Sequence, residues 1–253
     1  MLMPRFALHL VLLPLLSLVC CTNPPKPGTP LVAGRELLTA AYGTPILDGS
    51  GSDDTWAAAD WQPIDKVWAG PPVNDLKDFS GQFKLAWDEN NLYLLVEIED
   101  DSLRDIHADG LDHKEEDDCL VIFIDENLSG GNYQYTFKAF AYHITPDGRV
   151  TSYAPDSTSH FFDEHCLTRR IDHGHVSTWE IAIRIFDGNR FELGGENVPK
   201  LLESNKKLGF ALAYNDNDRS TKRENLIGNV PMPGGPETQP WMDASTFGIL
   251  TLQ

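Results

Sequence analysis

Apolar and polar residues alternate with a period of two along much of this chain, and this pattern restricts the fold more than any other feature. The segment STWEIAIRIF, residues 177–186, places four apolar side chains on one face: Trp179, Ile181, Ile183 and Ile185. Because successive side chains of a β-strand point to opposite faces, the segment predicts a strand with one buried face.

Three further segments extend this prediction. FKLAW at 83–87 and LYLLVEIED at 92–100 flank the turn sequence DENN, so together they predict a β-hairpin. CLVIFID at 119–125 is apolar almost throughout, as expected of a strand buried on both faces. The aromatic-rich YQYTFKAFAYHI at 133–144 predicts one long strand.

The end of the chain has the same character. LGFALAYND at 208–216 and STFGILTL at 245–252 predict two more strands, whereas residues 199–205 are the segment that could form a short helix. Short strands, polar turns and little helix predict an all-β fold, an antiparallel β-sandwich.

The charge balance excludes two classes of partner. Asp and Glu number 38 against 20 Lys and Arg, which gives a formal net charge of −18, and no basic run occurs. A phosphate backbone or an anionic membrane surface would be repelled, so we expect neither nucleic acid binding nor direct membrane binding. An acidic balance also fits a calcium-bearing extracellular protein, although solubility alone would account for it.

Residues 1–21 are typical of a targeting segment. An apolar run of about 14 residues follows Arg5, which is too short to span a bilayer. The next residues, LSLVCCTNPP, resemble a bacterial lipoprotein signal, in which a Cys three residues after a Leu is lipidated. Cys21 has this spacing and Cys20 does not, so Cys21 (or Cys20) is the expected lipidation site. A plain secretory signal is the alternative.

Residues 22–37 form a proline-rich linker. TNPPKPGTP at 22–30 contains four prolines, and such a sequence is stiff and extended, at roughly 3 Å per residue. We expect it to hold one domain, residues 38–253, away from a lipid anchor.

Two cysteines remain after the targeting segment, Cys119 and Cys166. Outside the cytoplasm they could form a disulfide, and they could equally be two small buried side chains. Sequence alone does not decide between these alternatives.

Five blocks of the chain follow one another in a characteristic order. They are AAYGTPILDGSGSDDTW (40–56), LAWDENNLYLLVEIEDDSL (85–103), DDCLVIFIDEN (117–127), LGFALAYNDND (208–218) and PWMDASTFGILTL (240–252). In this order and spacing they resemble the family 9 carbohydrate-binding modules of bacterial xylanases, over residues 38–253. The resemblance implies a DOMON-like, jelly-roll-like β-sandwich with structural calcium.

The resemblance does not extend to the sugar clamp of the family. Its members grip a sugar between two tryptophans, because an indole stacks on the C–H face of a pyranose. These two positions fall at Glu115 and Asn229, neither of which is aromatic. The acid that the family carries within its buried strand falls at Val121.

Two other family positions also differ. The family's arginine falls at Lys138, which keeps the charge but loses the planar fork, and its asparagine falls at Phe140. Trp241 follows a Pro- and Gly-rich loop close to the second missing tryptophan and could replace it as a stacking platform. The resulting sugar-binding candidates are Lys138, Trp241, Glu115 and Asn229.

The acidic run of residues 115–118 has two interpretations. As a loop that leads into a strand, it would face water. It could instead help to bind a cation, although no EF-hand spacing is present. Calcium takes about six to eight oxygen ligands, and loops can gather them from distant positions. The candidates that lie in matching blocks are Asp48, Asp125, Asp216 and Asp218.

A histidine-rich segment raises one more hypothesis. HFFDEHCLTRRIDHGH at 160–175 contains four histidines, of which His173 and His175 would share one face of a strand. Zinc or copper could use such a pair, as in a metal-bearing enzyme or redox module. No recognised ligand spacing and no catalytic motif supports this, and no organic cofactor is expected.

These patterns together predict a secreted, lipid-anchored β-sandwich at the bacterial surface. Its expected function is non-catalytic binding of a poly- or oligosaccharide, in support of polysaccharide capture or catabolism. One alternative is a calcium-stabilised surface or assembly lipoprotein that has lost sugar binding, which the missing tryptophans favour. The other alternative is the metal-bearing enzyme or redox module.

Overall fold

The structure is a computed structural model that describes residues 34–73, 75–107, 111–232 and 239–253. The targeting segment, Cys20, Cys21 and residues 22–33 of the linker lie outside these ranges. The described residues contain no α-helix, and no helix among them is long and apolar enough to cross a membrane.

The described residues form fourteen strands and three short 3-10 helices. The 3-10 helices are Asp54–Ala58, Lys114–Glu116 and Ala244–Thr246. The strands are β1 Leu37–Tyr42, β2 Gln62–Ile64, β3 Lys66–Ala69, β4 Phe79–Trp87, β5 Leu92–Asp100, β6 Cys119–Asp125, β7 Phe140–Ile144, β8 Val150–Tyr153, β9 Ser159–Phe161, β10 Cys166–His173, β11 Val176–Ile183, β12 Lys207–Asp216, β13 Asn225–Gly228 and β14 Gly248–Leu252.

The strands form two sheets that share β1. The first sheet has the order β10-β11-β5-β4-β1, and the second has the order β1-β14-β12-β6-β7-β8-β9, with β13 paired to β12 and β3. Residues 37–40 pair in parallel with β14, and residues 41–42 pair in parallel with β4. The other pairings of the described strands are antiparallel. The predicted antiparallel sandwich is therefore confirmed, apart from β1.

Alternate side chains of both sheets fill the space between them. β11 contributes Trp179, Ile181 and Ile183, and β6 contributes its even-numbered residues, to one buried cluster. Burying one such side chain stabilises the fold by about 1.5–3 kcal/mol. The apolar face that the sequence predicts for residues 177–186 is this core face.

β6 is buried on both faces, as its apolar sequence predicts. All of its residues are buried. Its odd-numbered side chains lie on the outer face of the second sheet, where Phe123 contacts Trp68 and Phe247. The second sheet therefore carries a second apolar cluster on the side that faces away from the core.

The prediction of one long strand over residues 133–144 is wrong in its first half. β7 begins at Phe140, and residues 133–139 form a loop in which Tyr135 has a positive φ of 54°. The amide and hydroxyl of Thr136 both donate to Tyr133 O, at 2.9 and 2.7 Å, which turns the backbone away from an extended path. The aromatic side chains of this segment are thus carried by a surface loop.

The segment at 199–205 does not form a helix. Lys200 N donates to Ile185 O at 2.7 Å, and Leu202 N donates to Glu89 O at 2.8 Å. Asn205 N donates to Leu252 O at 2.7 Å. The backbone of this segment therefore pairs with three other parts of the domain.

Cys119 and Cys166 are both free and buried, so the disulfide alternative is wrong. Cys119 lies in the outer cluster, where Asn215 Nδ2 donates to its Sγ at 3.2 Å. Cys166 lies in the core between the sheets. Both side chains behave as small buried residues, which is the other alternative that the sequence left open.

Candidate functional site

A cavity of about 280 Å³ opens on the outer face of the second sheet. Its lining includes Ala139 and Ala141, at the start of β7, and Ser152 of β8. Because side chains alternate along β7, Ala141 lies on the face opposite Phe140 and Tyr142, which belong to the core. Small side chains at adjacent positions leave a depression in a face that larger ones would fill.

Aromatic side chains form a wall of this cavity. Tyr135 and Tyr153 are 44% and 41% exposed, and their rings meet edge to face with centroids 6.3 Å apart. Trp241 is half-buried and lines the same cavity, as does Tyr133, whose hydroxyl donates to Pro240 O at 2.5 Å. Exposed rings beside a shallow cavity offer the apolar faces on which a sugar ring can stack.

Charged side chains complete the lining. Glu115 and Arg223 line the cavity, and Lys114 adjoins it through the ring of Tyr153, whose centroid lies 4.3 Å from Lys114 Nζ. Lys114 Nζ also donates to Ser159 Oγ. Lys114 is only 1% exposed, and this burial lowers its pKa to about 8.

His143 of β7 also lines the cavity. Burial lowers its pKa well below the ordinary value, and the positive charges of Lys114 and Arg223 lower it further. Its Nδ1 atom has no hydrogen-bond partner among the described residues. The imidazole therefore adds no charge to the cavity at neutral pH.

The acidic run faces water only in part, at the half-buried Glu115 and Glu116, so the interpretation of a solvated loop is wrong for its second half. Asp117 and Asp118 are 1% and 0% exposed. Asp117 Oδ2 accepts a hydrogen bond from His107 N at 2.7 Å. Asp118 accepts hydrogen bonds from Arg104 N and, at 2.6 Å, from Asn217 N. These two carboxyl groups therefore accept hydrogen bonds from the backbone of two loops.

Glu116 adds to the same set of contacts. Its Oε2 accepts a hydrogen bond from Arg223 N at 2.9 Å, and its carbonyl accepts one from Asn217 Nδ2 at 2.6 Å. The acidic run thus fastens residues 217–224 to the start of β6, and these residues bring the Arg223 side chain to the cavity.

The structure brings two of the four sequence-predicted sugar residues together. Glu115 and Trp241 both line the cavity, whereas Lys138 is exposed and is not part of its lining. Asn229 is 5% exposed and lies elsewhere, where its Oδ1 accepts a hydrogen bond from Leu212 N at 2.8 Å. Asn229 therefore holds strand β12 in place and does not reach the cavity.

The sequence did not identify Tyr135, Tyr153 and Arg223, which contribute two rings and a charge to the cavity lining. Tyr135 was assigned to a strand, because the sequence around it does not clearly indicate a turn. Tyr153 lies in no motif that distinguishes it from the other aromatic residues of the chain. Arg223 has no motif that marks it, because only the folding of the loop at 217–224 carries it to the cavity.

A separate cluster of carboxylates lies where β5 and β12 end. Asp100, Asp216 and Asp218 each offer an oxygen atom within 4.8 Å of the others, and Asp78 and Asp101 do so with Asp218. The Oδ1 atoms of Asp216 and Asp218 are buried and have no hydrogen-bond partner among the described residues. Unpartnered buried oxygens of this kind fit a hard cation such as calcium, which prefers oxygen ligands.

Mutual repulsion and burial raise the pKa values in this cluster. Burial raises the pKa of Asp216 to about 8, and the charges of Asp100 and Asp218 contribute to the rise. Burial raises the pKa of Asp218 to about 6, with contributions from Asp101 and Asp78. Ionising all of these groups without a counter-charge is therefore costly.

Of the four calcium candidates from the sequence, the structure brings together Asp216 and Asp218. Asp48 is exposed, and its Oδ1 accepts a hydrogen bond from Ser50 N at 2.8 Å. Asp125 lies at the far end of β6, where its Oδ2 accepts one from Gly130 N at 2.7 Å. Neither belongs to a group of ligand atoms among the described residues, whereas Asp100, at the end of the predicted hairpin, was missed.

The four histidines of the hypothetical zinc or copper site do not converge. His165 is buried in the core, with its Nδ1 at 2.8 Å from the Tyr142 hydroxyl. His160 contacts Asp156 at 2.8 Å. His173 ends β10, and the turn at Gly174 separates it from His175, so the two do not share a strand face. No metal group among the described residues includes any of these histidines.

A β-sandwich with an aromatic-walled cavity on one sheet face defines a ligand-binding module. The family model described as "Carbohydrate family 9 binding domain-like" matches residues 46–253, so the chain belongs to this family. Residues 46–253 are accordingly a non-catalytic carbohydrate-binding module of this family, and the resemblance found in the sequence is confirmed.

Curated relatives match most of this chain but only a small part of their own length. The endo-1,4-beta-xylanase A of Thermotoga neapolitana is 26% identical over 233 residues, which cover 91% of this chain and 19% of the xylanase. The endo-1,4-beta-xylanase C of Paenibacillus barcinonensis is 28% identical over 211 residues, 83% of this chain and 17% of that enzyme. The chain thus spans about a fifth of the length of the relatives it matches.

Solved structures share the fold. A family 9 carbohydrate-binding module from Caldicellulosiruptor kristjanssonii in complex with cellotriose has a TM-score of 0.66 and 22% identity, covering 86% of this chain and 94% of that one. The same kind of module from that organism in complex with glucose has a TM-score of 0.63 and 21% identity, with 86% and 96% covered. At this identity the likeness establishes the β-sandwich.

We expect the imidazole of His143 to remain neutral throughout the range from about pH 6 to 8, in which an unperturbed histidine titrates. The reason is its burial beside Lys114 and Arg223. A pH titration of the ring resonances by NMR, with free imidazole in the same tube as reference, would measure this. A His143 midpoint that coincides with that of imidazole would contradict the prediction.

Proposed function

We propose that this cavity binds a sugar ring of a poly- or oligosaccharide, and that the chain assists capture or catabolism of that polysaccharide outside the cell. The observation that carries the proposal is the wall of Tyr135, Tyr153 and Trp241 beside a lining of small side chains. The solved relatives hold cellotriose and glucose, and the curated relatives are xylanases. Both facts support a saccharide ligand.

The contacts available to such a ligand follow from the lining. The rings supply faces for stacking, each worth about 0.5–1.5 kcal/mol beyond area burial. Glu115 leaves its Oε2 without a partner among the described residues, and it can accept a hydrogen bond from a sugar hydroxyl. Of the candidates drawn from the sequence, Glu115 and Trp241 enter this proposal. A site with few contacts predicts weak to moderate affinity.

We expect Tyr153→Ala and Trp241→Ala each to weaken saccharide binding by about three- to tenfold, because each removes one stacking face. Isothermal titration calorimetry with glucose and cello-oligosaccharides would measure the loss. Phe161→Ala is the matched control, since Phe161 is 36% exposed but lies outside the cavity lining. Binding that is unchanged in both cavity variants would show that the sugar binds elsewhere.

The alternative of a calcium-stabilised surface or assembly protein rests on one observation. Neither Glu115 nor Asn229 supplies the indole that the family's sugar clamp would have at these positions. If no saccharide binds at any calcium concentration while calcium still stabilises the fold, this second function replaces the first.

We also propose that Asp100, Asp216 and Asp218 hold a structural calcium ion, with Asp78 and Asp101 close enough to contribute. The ion would supply the positive charge that the cluster lacks and accept the unpartnered oxygens of Asp216 and Asp218 as ligands. It would thereby fix the end of β12 and the loop that follows.

Calcium is expected to stabilise the protein by about 2.7 kcal/mol when its concentration exceeds the Kd about a hundredfold. Asp216→Asn should abolish this gain, because it removes a ligand charge from the cluster. Thermal unfolding with calcium and with chelator would measure both effects. Asp48→Asn is the control, since Asp48 lies outside the cluster, and equal calcium stabilisation of both variants would remove the proposed site.

We further propose that the chain is anchored to the bacterial envelope through a lipid on Cys21, or else on Cys20. The apolar run and the Leu-to-Cys spacing at residues 6–21 support this. An extended linker would then hold the domain away from the membrane.

The lipid anchor predicts labelling of the chain when it is expressed in bacteria fed radioactive palmitate. Cys21→Ala should lose the label and Cys20→Ala should keep it, because only Cys21 has the favoured spacing to Leu18. The opposite result would assign the lipid to Cys20. An unlabelled wild-type chain would leave the plain secretory signal as the explanation.

A further inference from the structure

Acidic and basic side chains meet at the cavity, although acids outnumber bases by 38 to 20 over the whole sequence. Arg223 and Glu115 line the cavity, and Lys114 adjoins it. Glu115 and Asp112 lie close enough to Lys114 to act on its charge. The charge of Lys114 is thus offset in part, and Arg223 is the remaining basic side chain of the lining.

Arg223 is only partly used within the protein. Its Nη1 donates to Asn215 Oδ1 at 2.9 Å, and its backbone N is bound by Glu116. Among the described residues no carboxylate forms an ion pair with its guanidinium. A guanidinium has five N–H donors in a planar fork that matches the two oxygens of a carboxylate.

Lys114 is the buried basic residue of the described chain, at 1% exposed. It contacts Ser159 Oγ and the face of the Tyr153 ring, and no described carboxylate forms an ion pair with it. Burying an ammonium without a counter-ion is costly, and an anion in the cavity would offset part of that cost. The ammonium of Lys114 thus lies behind the Tyr153 ring, on which a sugar would stack.

Glu115 lines the cavity, and its charge acts on Lys114 together with that of Asp112. The free oxygen of Glu115 suits a hydroxyl donor of the ligand, whereas Arg223 suits an acceptor. Because no described carboxylate pairs with the guanidinium of Arg223, this group remains for a ligand to meet.

We propose that the ligand of this cavity is an acidic sugar, a uronic acid residue whose carboxylate pairs with Arg223 while its ring lies against Tyr135 and Tyr153. This inference rests on the proposed saccharide function and deepens it. Arg223 determines the specificity for the carboxylate.

Calorimetric titration of the mature chain with three probes tests this proposal. The probes are glucose, glucuronate and glucuronamide, which share a ring and differ at carbon 6. We expect glucuronate to bind about tenfold more tightly than either neutral sugar, because a charge-assisted pair forms only with the carboxylate. The advantage should decrease as salt is added, since the pair lies in a cavity open to solvent.

Two variants test whether Arg223 causes the preference for glucuronate. Arg223→Gln should bring the affinity ratio of glucuronate to glucose close to one. Arg190→Gln is the matched control, because Arg190 is 86% exposed and lies outside this cavity, and the ratio should stay at its wild-type value. If Arg223→Gln does not fold, the three-probe comparison in the wild-type chain decides the question alone.

Two failures can be told apart. Glucose or glucuronamide that binds the wild-type chain as tightly as glucuronate would overturn the acidic-sugar inference and leave the saccharide function standing. A chain that binds none of the three sugars, and no cello-oligosaccharide, would overturn both.

Discussion

The acidic run accepts hydrogen bonds from the backbone of the loop at 217–224. These bonds position both the cavity lining and the carboxylate cluster. Glu116 and Asp118, at the start of the doubly buried β6, take N–H groups of Arg223 and Asn217. The loop that carries those two residues also starts from the carboxylate cluster at Asp216 and Asp218. One short loop thus supplies an arginine to the cavity at one end and two carboxylates to the proposed cation site at the other. These hydrogen bonds hold in place a loop that has no regular structure of its own.

Charge is unevenly distributed across this region. At the ends of β5 and β12, buried carboxylates accumulate, and burial together with their mutual repulsion raises their pKa values. At the cavity, a short distance along the chain, Lys114 and Arg223 lack carboxylate partners among the described residues. The carboxylates of the first site and the two bases at the second do not form ion pairs with one another. A cation for the first site and an anionic ligand for the second would satisfy both, and this is why the two proposals concern ligands of opposite charge.

Strand periodicity predicted the sandwich well, because most strands bury one face and the alternation of Trp179, Ile181 and Ile183 reports this directly. The same reasoning failed at residues 133–139. Their high aromatic content is typical of a strand, but the backbone turns at Tyr135. The site was predicted only in part. Lys138 was selected by resemblance, but its side chain is exposed in the loop before β7, whereas its neighbour Ala139 lines the cavity. Arg223 and Asp100 could not be selected, because their roles depend on contacts between segments far apart in sequence.

Strand β1 joins the two sheets through parallel pairings on both of its edges, with β14 along its first part and with β4 at its end. Tension applied to the chain ahead of Leu37 would act along this strand and would load its hydrogen bonds in shear. Bonds loaded in this way must yield together, whereas those at the end of a hairpin can open one after another. A module that is tethered at this side and holds a polymer on its sheet face would therefore resist mechanical pulling through the same strand that closes its fold.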